Sequence, residues 1–492
     1  MADTSLLKTK YDGLTTFSTW LYGVGHVLND LCAACWFNYL LYYIAAVQNQ
    51  SSGVAGAVIL SGQLADGIFT PIVGLYSDKL ETKWGKRKPW YIIGTIIVPI
   101  CFFFVFEECY PCNSMSGSSQ TAMAVIWYCF FAAAFNVGWA SIQISHMSLI
   151  PSLTPMKETK DKLIGIRNGF TYISNIAVLL LAFILIKTLN EPDLQFSILS
   201  IIVLVVGVTI NIMFILFIDE VGLSKIAHHS YRQLNQMLSN QGVKLPPNTE
   251  IEEVTYEVPP KQEEEEDELT WRDWVAQSQL YAVGASYMLS RLSNNVATSM
   301  MPFYLTSVLH VGGVKSTSQA HKRTPWQIAI IPLCLYVGST GMSFLIKKIG
   351  EKVSRKIQFL IGVGFTLVAS IPMFFLEPAD EYAMIPLAIV YGIGFSFTLN
   401  NSMGFVAAFV GKNGKSGAFV WGFISLFDKF SSGIALFLLT NLGDLNDSTF
   451  IRLSVAGLPM LASVAGGLSI FLIKNVQEFS IRPRSRKFSV KS

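Results

Sequence analysis

The 492-residue sequence predicts an all-α polytopic membrane protein with twelve spans arranged as two six-helix halves. Three observations carry that prediction. Hydrophobic residues make up 51% of the chain and charged residues only 14%, with a mean hydropathy of +0.45; a soluble domain carries about 25% charged residues. Apolar runs long enough to cross about 30 Å of hydrocarbon recur between charged or Pro/Gly/Asn-rich breaks. Lys and Arg collect in alternate loops. A net charge of +3 without a long basic run excludes a nucleic-acid binder, and seven cysteines are too few for a disulfide framework.

In order, the first half reads as spans at 20–47, 54–77, 90–107, 121–150, 164–189 and 195–218, after a tail at 1–19. A polar linker at 219–274 holds the acidic run Glu263–Glu268, and that run is expected to be solvated. The second half, 275–474, reads as 275–308, 326–346, 357–376, 382–410, 417–440 and 449–474, followed by a tail at 475–492. Orientation follows from the loops. Lys79, Lys83, Lys86, Arg87 and Lys88 follow span two; Lys157, Lys160 and Lys162 follow span four; Lys347, Lys348, Lys352, Arg355 and Lys356 follow span eight. Lys412 and Lys415 follow span ten, whereas 48–53, 107–120, 377–381 and 441–450 contain neither Lys nor Arg. Both termini and the linker are therefore expected in the cytosol. Only the loop before Trp326, with Lys315, Lys322 and Arg323, departs from the rule. Met1–Tyr11 is polar and has no signal-peptide character.

An internal repeat divides the chain. The loop Asp78–Trp90 returns six spans later as Ile346–Lys356, and two six-span halves with matching basic loops are the organisation of major facilitator transporters, whose substrate sits between the halves near midplane.

An ionisable group at a span centre costs about 2.5–3.5 kcal/mol on insertion scales and needs a partner, a wet cavity or a function. Span one has His26, Asn29 and Asp30. Span two has Gln63, Asp66 and Thr70 on one stripe, and span four has Asn136, Trp139, Gln143 and His146 on another. Span five opens with Arg167 and Asn168, and span seven has Arg291, Asn294, Asn295 and Thr298. Span ten has Asn400 and Asn401, and span eleven has Asp428 beside Lys429. Asp30, Asp66 and Asp428 balance Arg167, Arg291 and Lys429. That balance suits a small neutral or zwitterionic solute. The competing reading makes some of the six structural ion pairs, and Arg167, near the expected cytosolic end, fits a snorkelling anchor equally well. Asp428 and Lys429 point about 100° apart, so one is expected to face the cavity and the other a neighbouring helix. His26 and His146 are either titrating groups or packed, satisfied histidines.

The Trp84-Gly-Lys-Arg-Lys-Pro-Trp90 core, Asp66-Gly-Ile-Phe-Thr-Pro-Ile-Val-Gly74 and Ser148-Leu-Ile-Pro151 resemble the signatures of the glycoside-pentoside-hexuronide:cation symporters, the melibiose permease branch of the major facilitator superfamily. Within that branch, Tyr22-Gly-Val-Gly-His-Val-Leu-Asn-Asp30, Gly62-Gln-Leu-Ala-Asp-Gly67, the stretch Gly138–Pro151 and Val420-Trp-Gly-Phe-Ile-Ser-Leu-Phe-Asp-Lys429 are similar to an animal family of lysosomal and melanosomal cysteine transporters. The resemblance implies that Asp66 matches the first of two cation-binding carboxylates on span two and that Thr70 replaces the second, which weakens a sodium site. It places Gln143 where the symporters have a sugar-binding acid, Arg167 at their sugar-binding arginine, Lys429 at their span-eleven lysine, and Asn29 or Asp30 at the span-one acid.

These readings lead to a secondary transporter importing cysteine from cytosol into the lumen of lysosomes and melanosomes. Substrate contacts are expected from Asn29, Asp30, Gln143, Arg167, Arg291, Asn294, Asn295, Asn401 and Lys429, with the carboxylate on Arg167 or Arg291 and the ammonium on Asp30 or Asp66. Coupling or gating is expected at His26, Asp66, Thr70, Asp78, His146 and Asp428. A sugar:cation symporter and a non-transporting receptor or scaffold are the alternatives, as is a plasma-membrane address. Asp3–Leu7 and Tyr231–Leu234 fit sorting signals that cytosolic adaptors read. Cys109 and Cys112 are expected to be able to pair in an oxidising lumen, whereas Cys32 and Cys35 read as packing residues. No nucleophile–base arrangement, phosphate loop or metal motif occurs, so neither an enzyme nor a cofactor or metal site is expected. The protein is expected to be a monomer whose partners are lipid and solute.

Overall fold

The computed structural model describes residues 14–154, 156–227, 270–314, 316, 319, 322–411 and 414–474. Both sorting motifs and the acidic run lie outside them, and so does the side chain of Asp78. Among the described residues the chain forms twelve long helices. The first, α1, runs as Thr16–Val24 and Val27–Cys35 and continues through π-helical turns at Trp36–Leu40 and Tyr43–Val47. It is followed by α2 (Ser52–Lys79), α3 (Lys88–Val105), α4 (Gly117–Met147), α5 (Lys157–Thr188) and α6 (Pro192–Phe217). The second half holds α7 (Ser278–Phe303), α8 (Gln327–Gly350), α9 (Arg355–Met373), α10 (Met384–Val410), α11 (Gly414–Leu442) and α12, which is Ser448–Arg452, a π turn at Leu453–Gly457 and Leu458–Ser469.

Ten of these helices are long and apolar enough to cross a membrane, and the protein is a multi-pass membrane protein. The two that fall short are α1 and α7, the spans most loaded with Asn, Ser, Thr and charge. They tolerate polar residues because those face other helices. Residues 36–47 of α1 and 295–309 of α7 are buried almost throughout. Each of the two also carries π-helical geometry, a feature that tends to mark functional positions in helices.

The two halves are sealed together at the end opposite the basic loops. There the Ser299 hydroxyl donates to the Phe37 carbonyl at 3.1 Å, Tyr42 meets Phe303 edge-on, and Lys187 lies 4.7 Å above the Trp326 ring. Helices α2 and α11 touch along that end: a methyl group on Gly56 would collide with the Thr440 hydroxyl, and one on Gly433 would come within 3.0 Å of Gln63 Cβ. Toward the basic loops α2, α5, α8 and α11 each have an open position, and a methyl group built on Gly74, Gly165, Gly341 or Gly422 would meet nothing within 4 Å.

Helix α1 starts at Thr16, four residues before the expected boundary, because Thr15 caps it through a bond from the Ser18 N–H. The stretch after α6 is ordered at its start. Residues 220–227 are helical and Glu220 is buried. Its carboxylate accepts four bonds, at 2.8–3.2 Å, from the consecutive N–H groups of Lys86, Arg87 and Lys88 at the head of α3. Gly85, at φ +104°, has no side chain to obstruct that carboxylate. Charge-assisted bonds of this kind contribute about 1.5–3 kcal/mol each, so Glu220→Ala should lower the melting temperature of the purified protein by at least about 2 °C. An unchanged melting curve would contradict that role. Cys109 and Cys112 are joined by a disulfide in the 3₁₀ turn after α3, while Cys32 and Cys35 are buried free thiols.

Candidate functional site

All six intramembrane ions, together with His26, have charged or polar partners, and they form two clusters. The first lies where α1 breaks. Gly25 and His26 interrupt the helix, and the freed Gly25 carbonyl is taken by the Tyr91 hydroxyl at 2.6 Å, which meets the requirement that backbone groups at membrane depth be satisfied within the protein. His26 Nδ1 lies 3.0 Å from Asp30 Oδ1, and Arg167 Nη2 lies 3.1 Å from His26 Nδ1 and 3.3 Å from Nε2. This geometry fits the tautomer that donates from Nδ1 to Asp30 and accepts from Arg167 at Nε2. Thr171 donates to the second Asp30 oxygen at 3.1 Å. Arg167 therefore reaches inward to α1, an arrangement distinct from the snorkelling anchor.

His146 sits beside this cluster and ties α4 to α1. Its Nε2 is 2.8 Å from the Tyr22 carbonyl, the Tyr22 hydroxyl donates to the His146 carbonyl at 3.2 Å, and the two rings stack at 4.3 Å. Asn29 donates to the Trp139 carbonyl at 3.1 Å, and Gln143 accepts the Trp139 indole N–H at 2.6 Å.

The second cluster spans the seam. Asp66 on α2 accepts Lys429 on α11 at 2.5 Å through Oδ2, and Thr70 at 3.0 Å through Oδ1. Arg291 on α7 donates to Asp428 on α11 at 3.1 Å, and Ser432 links Asp428 Oδ1 to Asn295. Asp428 and Lys429 thus point to different partners, Lys429 lining the cavity beside Asp66 and Asp428 facing Arg291 on neighbouring α7. Lys429 carries the ion pair that joins the two halves, whereas Arg291–Asp428 lies within one half.

Asn294 is half-buried, and its carbonyl accepts the Thr298 hydroxyl. Asn401 is buried and bonds back to the Phe397 carbonyl of its own helix. Its neighbour Asn400 also bonds back to its own helix, donating to the Ser396 carbonyl at 2.8 Å, and reaches the Ser343 hydroxyl at 3.4 Å; Ser343 contacts the Tyr172 hydroxyl across the seam at 2.7 Å.

Between the halves, beside Asp66 and Lys429, lies a small cavity of about 10 Å³, room for about one water, lined by Trp36, Phe37, Phe135, Trp139, Gln63 and Asn136. Trp36 stacks on Phe135 at 5.3 Å, and Trp139 meets Phe135 edge-on. Trp36 and Phe135 were not singled out by the sequence reasoning. Their one sequence signal is position: Trp36 lies seven residues from Asn29, on the same helical face, and Phe135 precedes Asn136. Among the described residues no group of three His, Cys, Asp or Glu side chains is placed to hold a metal ion.

Residues 21–244 match the MFS/sugar transport protein family. The chain is 32% identical over 442 residues to major facilitator superfamily domain-containing protein 12 of Homo sapiens, covering 86% of this chain and 84% of that protein. It is 28% identical over 226 residues to an uncharacterised symporter of Synechocystis sp., covering 46% of this chain and 41% of that protein. The fold is similar to the inward open conformation of the xylose transporter XylE from E. coli, with a TM-score of 0.64, 11% identity and coverage of 94% of this chain and 97% of that one.

Proposed function

From the premise that the chain belongs to the major facilitator superfamily domain-containing protein 12 family and is a membrane transporter, we propose that it carries a small zwitterion, cysteine, from the cytosol into the lumen of lysosomes and related organelles. The observation that supports this reading best is the balanced set of six ions in and beside the seam, three buried carboxylates and three half-buried cations. A solute with one positive and one negative end can replace protein partners there without leaving a buried charge unpaired. A singly charged solute cannot.

In this reading the basic-loop end faces the cytosol, so the present conformation loads from the cytosol and must open the Gly56–Thr440 seal to release into the lumen. The lysosomal proton gradient points outward from the lumen and opposes import by proton symport. Uniport or proton antiport fits better, with Asp66 and His146 as switches in the antiport version. The address rests on the resemblance of the long motifs to lysosomal and melanosomal transporters, together with the two sorting-signal patterns. A sugar is the second reading, favoured by the description of the matched family; it is weakened by Gln143 at the sugar-binding acid position and by the single carboxylate on α2.

Uptake of labelled cysteine into proteoliposomes, with and without a pH step, tests the proposal. Saturable uptake is the expected result, with or without stimulation by a proton gradient opposite to the flux. Absence of cysteine uptake under every gradient, alongside sodium-stimulated galactoside uptake, would replace it with the sugar reading.

A further inference from the structure

We propose that the substrate binds by inserting into the Asp66–Lys429 ion pair: its ammonium takes Lys429's place at Asp66 and its carboxylate takes Asp66's place at Lys429. The inference rests on the zwitterion reading above and assigns that reading to a particular site. Asp66 is 2% exposed and both of its oxygens are bonded, one to Thr70 and one to Lys429. Each oxygen thus already has a donor, and the positive charge that Asp66 needs is supplied by Lys429. Lys429 occupies the position a coupling cation would take.

The pair is also the ion pair that crosses between the halves, through α2 and α11, so it can only be opened by something that supplies both missing charges. A zwitterion does so, turning one pair into two. Solutes with one charge or none would leave Asp66 or Lys429 unpaired in a dry seam, a cost of several kcal/mol that acts as a filter. Loading and loosening of the seam then become a single event.

The groups lining the small cavity next to the pair supply the remaining contacts once the pair parts and the cavity widens. Gln63 is 2% exposed, and its Oε1 has no hydrogen-bond partner among the described residues, so the pocket contains an unused buried acceptor. Buried acceptors of this kind are rarely left unsatisfied. The aromatic walls formed by Trp36, Phe135 and Trp139 suit a short, polarisable side chain, and a thiol would offer Gln63 a weak donor. The chemistry read from the site is a small α-amino acid with a soft side chain.

The test measures binding to the full-length protein in nanodiscs by ligand-induced thermal stabilisation, which does not need transport to be intact. The probes are cysteine, cysteamine, which lacks the carboxylate, and 3-mercaptopropionate, which lacks the ammonium. Wild type should bind cysteine at least tenfold more tightly than either analogue. In Lys429→Gln the order should invert toward cysteamine, and in Asp66→Asn toward 3-mercaptopropionate. The double variant Asp66→Asn/Lys429→Gln leaves no unpaired charge, so it should fold even where a single variant does not, and it should lose at least tenfold in cysteine affinity. If both single variants keep the wild-type order, or the double variant binds cysteine within threefold of wild type, the insertion site is wrong while the cysteine reading stands. If wild type binds none of the three probes, the cysteine reading itself fails and the insertion site falls with it.

Discussion

Arg291→Ala is expected to be the most damaging single substitution in the second half of the chain. It would leave the Asp428 carboxylate, 1% exposed, without its guanidinium, and removing one partner of a buried pair costs about 3–5 kcal/mol. Asn295 and Ser432 would remain beside that carboxylate, but neither supplies charge. The expected result is a sharp drop in melting temperature and in the yield of folded protein. The double variant Arg291→Met/Asp428→Leu removes both charges and should recover most of the stability, since apolar groups of similar volume often replace a buried pair at little cost. If the double variant is no more stable than Arg291→Ala, the loss comes from packing of the arginine stem and the pair is not the cause. Transport by a stable double variant would then show whether Arg291 also touches the solute.

The second large effect is expected at Gly56, where α2 and α11 seal the end opposite the basic loops. Any side chain there meets the Thr440 hydroxyl, which is itself held by the Leu436 and Phe437 carbonyls at 3.0 Å. Gly56→Leu should hold the seal open, because a packed helix contact has two discrete arrangements and no gradual ones. Uptake should fall at least tenfold, which corresponds to a bias of only about 1.4 kcal/mol between the two conformations. A Ser299→Cys reporter, placed on the α7 side of the same seal, should become reactive to a membrane-impermeant maleimide applied from that end. The pair Gly56→Ala/Thr440→Ala relieves the collision and should transport within twofold of Thr440→Ala alone. Full activity in Gly56→Leu would mean that the seal opens elsewhere.

Much of this molecule was legible before any coordinates. Apolar length alone located spans such as 90–107 and 357–376, because a helix in lipid satisfies its own backbone and needs only a run of suitable residues. Even α1, broken into short helical pieces, and α7, rich in Asn, Ser and Thr, were visible from their position between loops of alternating charge. The inventory of buried ions was also legible, since a charge in an apolar run is conspicuous. Their partners were not. Asp66 and Lys429 lie 363 positions apart in the chain and Arg291 and Asp428 lie 137 apart, and no local period links residues at such distances. Asn400 and Asn401 show the same limit on a smaller scale: both amides bond back to their own helix, yet Asn400 also reaches Ser343 on α8. The role of Glu220 was not legible either, because its partners are three backbone N–H groups, which have no sequence signature.

The sequence by itself determined the number of spans, the two-half organisation, the alternation of basic loops and the equality of buried positive and negative charge. These depend on length, composition and period, which are local properties. Only the tertiary structure decided which charges meet, that one ion pair bridges the halves while another stays within a half, that an aromatic pocket with an unused amide oxygen lies beside the bridging pair, and which end of the molecule is sealed. Those outcomes depend on how close two helices can approach, set at places such as Gly56 and Gly433 by the absence of a side chain. Such a contact is defined only when the opposing helix, hundreds of residues away, is in place.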